Sequence, residues 1–334
     1  MDYIGSKLKL NDWIFDILSQ YIPEKEWKNL WFMDGCSGSG STSKYAIKKG
    51  FKVISNDLFQ FSSTIVKGFS GIDIRRDNKA RILIDKHINK INSINGIKDF
   101  FYNNYSVSAG RPYFIDENAM RIDATRNYIE EITDEKIKNY LLYISLESLS
   151  SVLNTTGVQA AFLKKIKKRA NNYFTVKLYP TYNGEVKTYS KNLKEIVSLP
   201  CDILYVDPPY NNRQYGPNYH LYETFVKWDY PSLQGVSGLR DWKSESKSDF
   251  CTKKTCIDIF NKIVKDTSAK IVLISYSSDG LLSEEEMCDI IEPFGQIDVY
   301  KKNQNRYKAD ISKDRKYNIA DLQEFLFVLN KNNS

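Results

Sequence analysis

The chain has 334 residues, enough for one large α/β domain with a smaller one beside or within it, and its apolar share of 42% is ordinary for a globular protein. No run of about 18 apolar residues occurs, so no membrane span is expected, and five scattered cysteines, with no further ligand pair or histidine near Cys251 and Cys256, exclude a disulfide framework and give no metal site. The net charge of +7 and pI of about 8.8 fit a polyanionic partner without requiring one.

The start, Met1-Asp2-Tyr3-Ile4-Gly5-Ser6-Lys7, lacks a secretory signal pattern, which with the odd cysteine count points to a reducing cytoplasm. Trp13, Ile14, Ile17, Leu18 and Tyr21 recur at helical spacing, with Asn11 or Asp12 as N-cap. Residues 30–33, Leu-Trp-Phe-Met, read as a first buried strand. It runs into Asp34-Gly35-Cys36-Ser37-Gly38-Ser39-Gly40-Ser41 and a helix over 42–49. Strand, glycine turn and helix make the nucleotide-binding start of a doubly wound sheet. The glycines allow a ligand close to the backbone. Their spacing is Gly-x-x-Gly-x-Gly, which is not the dinucleotide fingerprint. Asp34 beside the turn repels a pyrophosphate but suits the ammonium of S-adenosylmethionine (AdoMet), and the turn resembles the AdoMet loop of methyltransferases. A second strand over 51–55 ends at Asn56-Asp57. Asp57 fits two roles, holding a ribose diol or capping the helix that follows.

Residues 60–185 read as mainly helical, with a polar, aromatic loop over 100–114. Tyr140, Leu141, Tyr143, Ile144, Leu146, Leu149 and Val152 keep one apolar helical face. Asn154-Thr155-Thr156-Gly157 follows, then Lys164-Lys165-Ile166-Lys167-Lys168-Arg169. Five cations in six residues fit a phosphate-contact patch, and equally a solvated helix face. Residues 186–190 form a third strand leading to Asn192. Cys201 enters the next strand and is a small core residue rather than a nucleophile. That strand, Ile203-Leu204-Tyr205-Val206, is stopped by Asp207-Pro208-Pro209-Tyr210, because neither proline has a ladder N–H. Asp207, the Pro208 carbonyl and the Tyr210 face are thereby displayed at the carboxyl edge. That set can hold and stack on a flat base bearing an exocyclic amine.

Asp207-Pro208-Pro209-Tyr210 resembles the catalytic motif of N6-adenine DNA methyltransferases. Tyr113-Phe114 through Asn118, Arg121-Ile122-Asp123, Arg126 and Asn154-Thr155-Thr156-Gly157 with its trailing Ala-Phe-Leu-Lys resemble the alpha group, the Dam-like and FokI-modification-like enzymes. The polar run from Asn211 through Arg213, Tyr215 and His220 to Thr224 extends the match. The resemblance implies a Rossmann-like AdoMet-dependent methyltransferase sheet, α/β in class. Residues 1–59 and 186–334 would form the catalytic domain, and 60–185 an inserted, mainly helical target-recognition region. It implies that Tyr3, Ile4, Gly5 and Lys7 close over the methionine end of AdoMet. Asp34, Gly35, Cys36, Ser37, Gly38 and Gly40 would hold its middle, Asp57 its ribose, and Asp207 would border it. The family usually has an aspartate near Asn192 for the cofactor's adenine; Asn192 departs from that and offers an uncharged carbonyl. His220 is read as a structural hydrogen-bonder, since methyl transfer from a sulfonium needs no strong base.

A last part of the chain supplies a polar loop over 229–250, a helix over 257–264, a strand over 270–277, a helix over 283–291 and a hairpin pair at 297–300 and 325–329. Between the last two, Asn305-Arg306-Tyr307-Lys308 resembles the family's DNA-contacting loop. The expected DNA contacts are Asn154, Thr155, Thr156, Lys164, Lys165, Lys168, Arg213, Tyr215, Arg306, Tyr307 and Lys308. The expected function is adenine-N6 methylation of double-stranded DNA in a bacterial restriction-modification system. One strand of a non-palindromic site would be modified, with a companion methyltransferase and a restriction nuclease as partners. Cytosine-N4 transfer and a DNA-binding protein without catalysis stay open; Asp207, where cytosine enzymes usually carry serine, favours adenine.

Overall fold

The computed structural model of the chain describes residue 3, residues 5–304 and residues 322–331. The described residues fall into two compact units. One comprises Met1–Gly5, Phe59–Asn183 and Gly216–Ser246, the other Ser6–Leu58, Gly184–Tyr215 and Lys247–Ser334.

The second unit is built on a seven-stranded sheet. Its strands are β1 (Trp31–Asp34), β2 (Lys52–Asp57), β3 (Val186–Ser190), β4 (Ile203–Val206), β5 (Ile271–Ser277), β6 (Gly295–Gln304) and β7 (Leu322–Lys331), in the order β3-β2-β1-β4-β5-β7-β6. β1 to β5 pair in parallel, and β7 lies antiparallel between β5 and β6. This is the mostly parallel, Rossmann-like sheet expected from the sequence. β4 and β5 are buried along their whole length, which is why they read as unbroken apolar runs. Met33, Leu204, Val206 and Ile274 pack there with Phe260 and Ile263 of the helix Lys253–Asp266 and Met287 of the helix Glu284–Ile291. The latter helix starts with a capping box of Ser283 and Glu286. From β1 the chain builds outward through β2 and β3, then returns to lay β4 on the other side. The switch point falls between β1 and β4, and such a crevice at the carboxyl edge receives ligands in open α/β sheets.

The first unit is helical. It holds Gln60–Ser70, Asn78–Ser93, Phe100–Tyr105, Asp116–Glu130, Glu135–Val152, Gly216–Lys227 and the single turn Trp242–Glu245. A Cβ on Gly68 would lie 2.3 Å from the Tyr143 Cβ, so glycine lets two of these helices close on one another. The Glu223 carboxylate accepts from the Gln60 and Phe61 N–H groups, and the Arg126 guanidinium donates to the Phe225 and Val226 carbonyls. Those bonds bind 216–227 to the rest of the unit. Helix does not continue through 153–185 as the sequence suggested; only a 3-10 turn, Lys168–Asn171, occurs there. Asn154 is the reason. Its amide donates to the Pro112 and Leu163 carbonyls and its oxygen accepts from Lys167 N–H, a loop network that competes with helical pairing. Among the described residues no helix is long and apolar enough to cross a membrane.

Candidate functional site

Three parallel strands of the sheet unit end in acids at the same edge: Asp34 on β1, Asp57 on β2 and Asp207 just past β4. Asp34 is almost fully buried. One oxygen accepts from Ser43 Oγ at 2.7 Å, and that hydroxyl lies 3.0 Å from Ser55 Oγ. The other oxygen, Oδ1, is buried without a hydrogen-bond partner. Burial pushes the Asp34 carboxyl up to about 7; the Ser43 hydrogen bond opposes this, and the charges of Asp207 and Asp57 add to it.

The glycine turn follows as expected, with Gly38 and Gly40 at φ 51° and 71°. Gly35 N–H donates to the Tyr205 carbonyl (2.8 Å), Ser37 N–H to the Asn56 carbonyl (2.8 Å) and Gly38 N–H to Asp57 Oδ2 (2.7 Å). A Cβ on Gly35 would meet a Leu193 methyl at 3.0 Å and the Tyr205 carbonyl at 3.3 Å. Asp57 therefore braces the turn, and the N-cap position of the next helix is Phe59. Ser37 Oγ is a second buried oxygen without a partner. Burial, together with Asp57, Asp207 and Asp34, raises the Cys36 thiol well above its ordinary range.

Asp207 is 18% exposed at its side chain, and Oδ1 lies 2.8 Å from Lys7 Nζ. The same ammonium is 3.1 Å from Glu324 Oε1 on β7. Burial works against the Lys7 charge, but Asp207 and Glu324 hold it well above its usual range. Burial raises the Asp207 carboxyl, and Lys7 opposes the shift. Burial likewise pushes Glu324 up to about 7, against Lys7 and with help from Asp207 and Asp279. Beyond Asp207, Pro208 is buried and Pro209 half-buried. The Tyr210 carbonyl accepts from Leu281 N–H (2.8 Å) and Tyr276 OH (3.3 Å), which fixes the motif to the loop after β5. The Tyr210 ring is half-buried and its hydroxyl is pushed up to about 12 by burial and by Asp279.

Asn192 caps the short helix Leu193–Ile196 through its oxygen, and its amide donates to Asp249 Oδ2 at 3.0 Å. Asp249, also bonded to Lys194, brings a carboxylate to a position where the sequence offered an amide alone. Arg213 is exposed and Tyr215 half-buried; burial and the nearness of Tyr210 and Asp207 raise the Tyr215 hydroxyl. Asp34, the glycine turn, Asp57, Asn192, Asp207 to Tyr210 and Lys7 thus share the sheet unit.

Tyr3 and Gly5 belong to the helical unit, where the Tyr3 ring stacks on Tyr219 at 4.4 Å and 5°. Ile4, Arg306, Tyr307 and Lys308 lie outside the described residues. In the helical unit Asn154 and Thr155 are buried and Thr156 is exposed. Lys164, Lys165 and Lys168 are exposed, while Lys167 Nζ donates to the Thr155 carbonyl and Arg169 to the Ser150 carbonyl. The basic run therefore presents three solvated ammonium groups on a loop. His220 is buried with Nε2 3.0 Å from the Gln159 carbonyl, and burial pushes it down to about 3, a structural setting. Sequence reasoning missed Ser43, Asp249 and Glu324. Glu324 left one trace, an acid at the entry to the apolar run 325–329.

A family profile described as D12 class N6 adenine-specific DNA methyltransferase matches residues 3–290. The chain is 36% identical to the Type II methyltransferase M.CviAII of Paramecium bursaria Chlorella virus 1, covering 98% of this chain and 97% of that protein. It is 30% identical to the Type II methyltransferase M.NlaIII of Neisseria lactamica, covering 99% of both. It is 34% identical to the Type II methyltransferase M.FokI of Planomicrobium okeanokoites, where 99% of this chain spans 53% of the relative.

Proposed function

The chain belongs to the D12 class of N6 adenine-specific DNA methyltransferases, of the restriction-modification type, and from that premise we propose that it takes AdoMet at the carboxyl edge of β1, β2 and β4 and methylates an adenine flipped out of double-stranded DNA. The observation that carries the cofactor reading is Asp34. A buried carboxylate with one unpartnered oxygen, raised further by Asp57 and Asp207, lacks a cation. The ammonium of AdoMet supplies one. Asp34 would hold that ammonium, the turn from Gly35 to Gly40 would pass close along the cofactor, and Asp57 would hold the ribose while it braces Gly38. Lys7, paired with Asp207, would close over the methionine end of the cofactor from that place.

Bound AdoMet supplies an electrophilic methyl group on a sulfonium. The rest falls to the chain's own groups. Asp207 and the Pro208 carbonyl accept the two hydrogens of the adenine amine, which turns its lone pair toward the methyl group. Asp207 then receives the proton the methylated amine gives up, and Tyr210 stacks on the base, replacing stacking worth roughly 1–3 kcal/mol. Positioning is the main catalytic contribution. Residues 60–185, Arg213, Tyr215 and the loop carrying Arg306 to Lys308 would contact DNA, with Lys164, Lys165 and Lys168 on phosphates. The five unpaired cysteines accord with a reducing cytoplasm.

The test is transfer of tritiated methyl to unmethylated DNA with identification of the modified base. N6-methyladenine is expected. N4-methylcytosine would overturn the adenine assignment, and no transfer by protein that binds DNA would support a recognition protein without catalysis. For the site we propose one strand of a short non-palindromic sequence, with a companion methyltransferase and a restriction nuclease. The support is that this chain spans only 53% of the FokI relative. The two relatives matched end to end favour a second reading, a single enzyme that serves both strands of a palindrome.

A further inference from the structure

Glu324 has no part in the reaction as set out above, yet it completes the cluster at Asp207. It sits on β7 opposite Ser277 at the carboxyl end of β5, with Lys302 of β6 on its other side. The Lys302 ammonium lies over the Trp13 ring, 5.5 Å from its centre. Lys7 is the cation at the Glu324 carboxylate, 3.1 Å away, and its other partner is Asp207 at 2.8 Å. Since β5 separates β4 from β7, the one ammonium reaches across a whole strand to join the two acids. Two nearly buried carboxylates sharing one cation are costly, and an apolar residue at 324 would serve the strand alone better.

We propose that Glu324 is a positioning residue for Asp207 that acts through Lys7. Divided between two acids, the ammonium does not close on Asp207 as a one-to-one pair, and the Asp207 carboxylate keeps its acceptor strength for the amine to be methylated. The inference rests on the reading of Asp207 as the group that holds that amine. Facing Glu324 are Lys7 from the 3-10 turn Lys7–Lys9, Asp207 past β4 and Asp279 past β5. Facing Asp207 are Lys7, Tyr205 on β4, Tyr210 and Tyr215 beyond it, Asp34 on β1 and Cys36 in the glycine turn. Removing the Glu324 charge leaves Lys7 to Asp207 alone and removes a neighbouring anion. Both changes lower the pH at which Asp207 loses its proton.

The experiment is the single-turnover methylation rate of Glu324→Gln across pH, with saturating tritiated AdoMet and unmethylated phage DNA. The expected result is a plateau about 10- to 100-fold below the parent, an acid limb moved to lower pH, and unchanged AdoMet affinity. A parental plateau overturns the inference, and so does a lowered plateau with the limb unmoved, which a merely structural residue would give. Should Glu324→Gln fail to fold, Glu324→Asp keeps the charge but shortens the reach by one methylene. It is expected to keep both the acid limb and a near-parental plateau, and a lowered plateau with the limb unmoved overturns the inference. Asp207→Ala, measured alongside, separates the two readings. If that variant keeps its rate, the role of Asp207 falls; if it is inactive while Glu324→Gln is parental, only the role of Glu324 falls.

Discussion

At Asp34 the burial that raises the carboxyl works against the fold. Its carboxyl is pushed up to about 7 from an unfolded value near 4, so between those limits the folded chain binds more protons than the unfolded one, and stability falls as pH rises. The ligand-free protein should therefore melt at lower temperature at pH 8 than at pH 5 through this group. Asp34→Asn should raise the melting temperature at pH 8, by roughly 2–4 °C per kcal/mol recovered, while AdoMet affinity by calorimetry collapses. Parental AdoMet affinity in that variant would remove Asp34 from the cofactor site. Asp207→Ala is expected to lower methyl transfer at least about a hundredfold with DNA affinity kept, since the carboxylate acts on an amine and not on phosphates. Tyr210→Ala should cost roughly 5- to 150-fold from lost stacking, and Tyr210→Phe much less; equal losses in the two would point to the hydroxyl instead. Asp34, Asp57 and Asp207 were legible because each ends a short apolar run, a signal local in sequence. Glu324 and Asp249 were not, because what gives them meaning is a partner, Lys7 or Asn192, that only folding brings near.

Among the elements, strands and glycine turn were read closely from sequence, and the region after Val152 was read poorly. The turn follows from a strand end, three glycines and a helix start, all within a dozen residues. The basic run from Lys164 reads as a helix face only if the backbone is helical, and Asn154 claims that backbone for a loop through three hydrogen bonds. Its cations consequently divide. Lys167 and Arg169 bond to carbonyls within the unit, and Lys164, Lys165 and Lys168 project to solvent. Replacing those three with glutamine should weaken binding to every DNA sequence alike and flatten the log–log salt slope by up to about 3. Filter binding over a salt series reads this directly, and a slope equal to the parent's returns the three lysines to mere solvation. Replacing Lys167 should instead lower thermal stability, because its ammonium closes the loop onto the Thr155 carbonyl.

For the whole molecule, the alternation of strand and helix sufficed to anticipate one mostly parallel sheet, and the apolar runs located β4 and β5. That residues 216–246 lie in the compact unit of 59–183 was not legible, because the Glu223 and Arg126 bonds that bind them there join residues far apart in sequence. Which strand of DNA is modified is a property of the intact protein on its site. Strand-resolved mapping of N6-methyladenine, after the pure protein acts on unmodified DNA, is expected to show one strand of a non-palindromic sequence. Methylation of both strands at a palindrome would establish the two-strand enzyme and leave the roles of Asp34 and Asp207 as they stand.

The place of β7 bears on how the protein is born. A ribosome delivers Lys7 first and Asp207 midway, and β7 only after β5 and β6 have been made. Until Leu322–Lys331 emerges, β5 presents an open edge and β6 has no neighbour to pair with in this sheet. The last strand must then slot between two earlier ones, a pairing of long sequence separation that forms slowly. A nascent chain therefore carries the glycine turn and the Asp-Pro-Pro-Tyr motif before it carries Glu324.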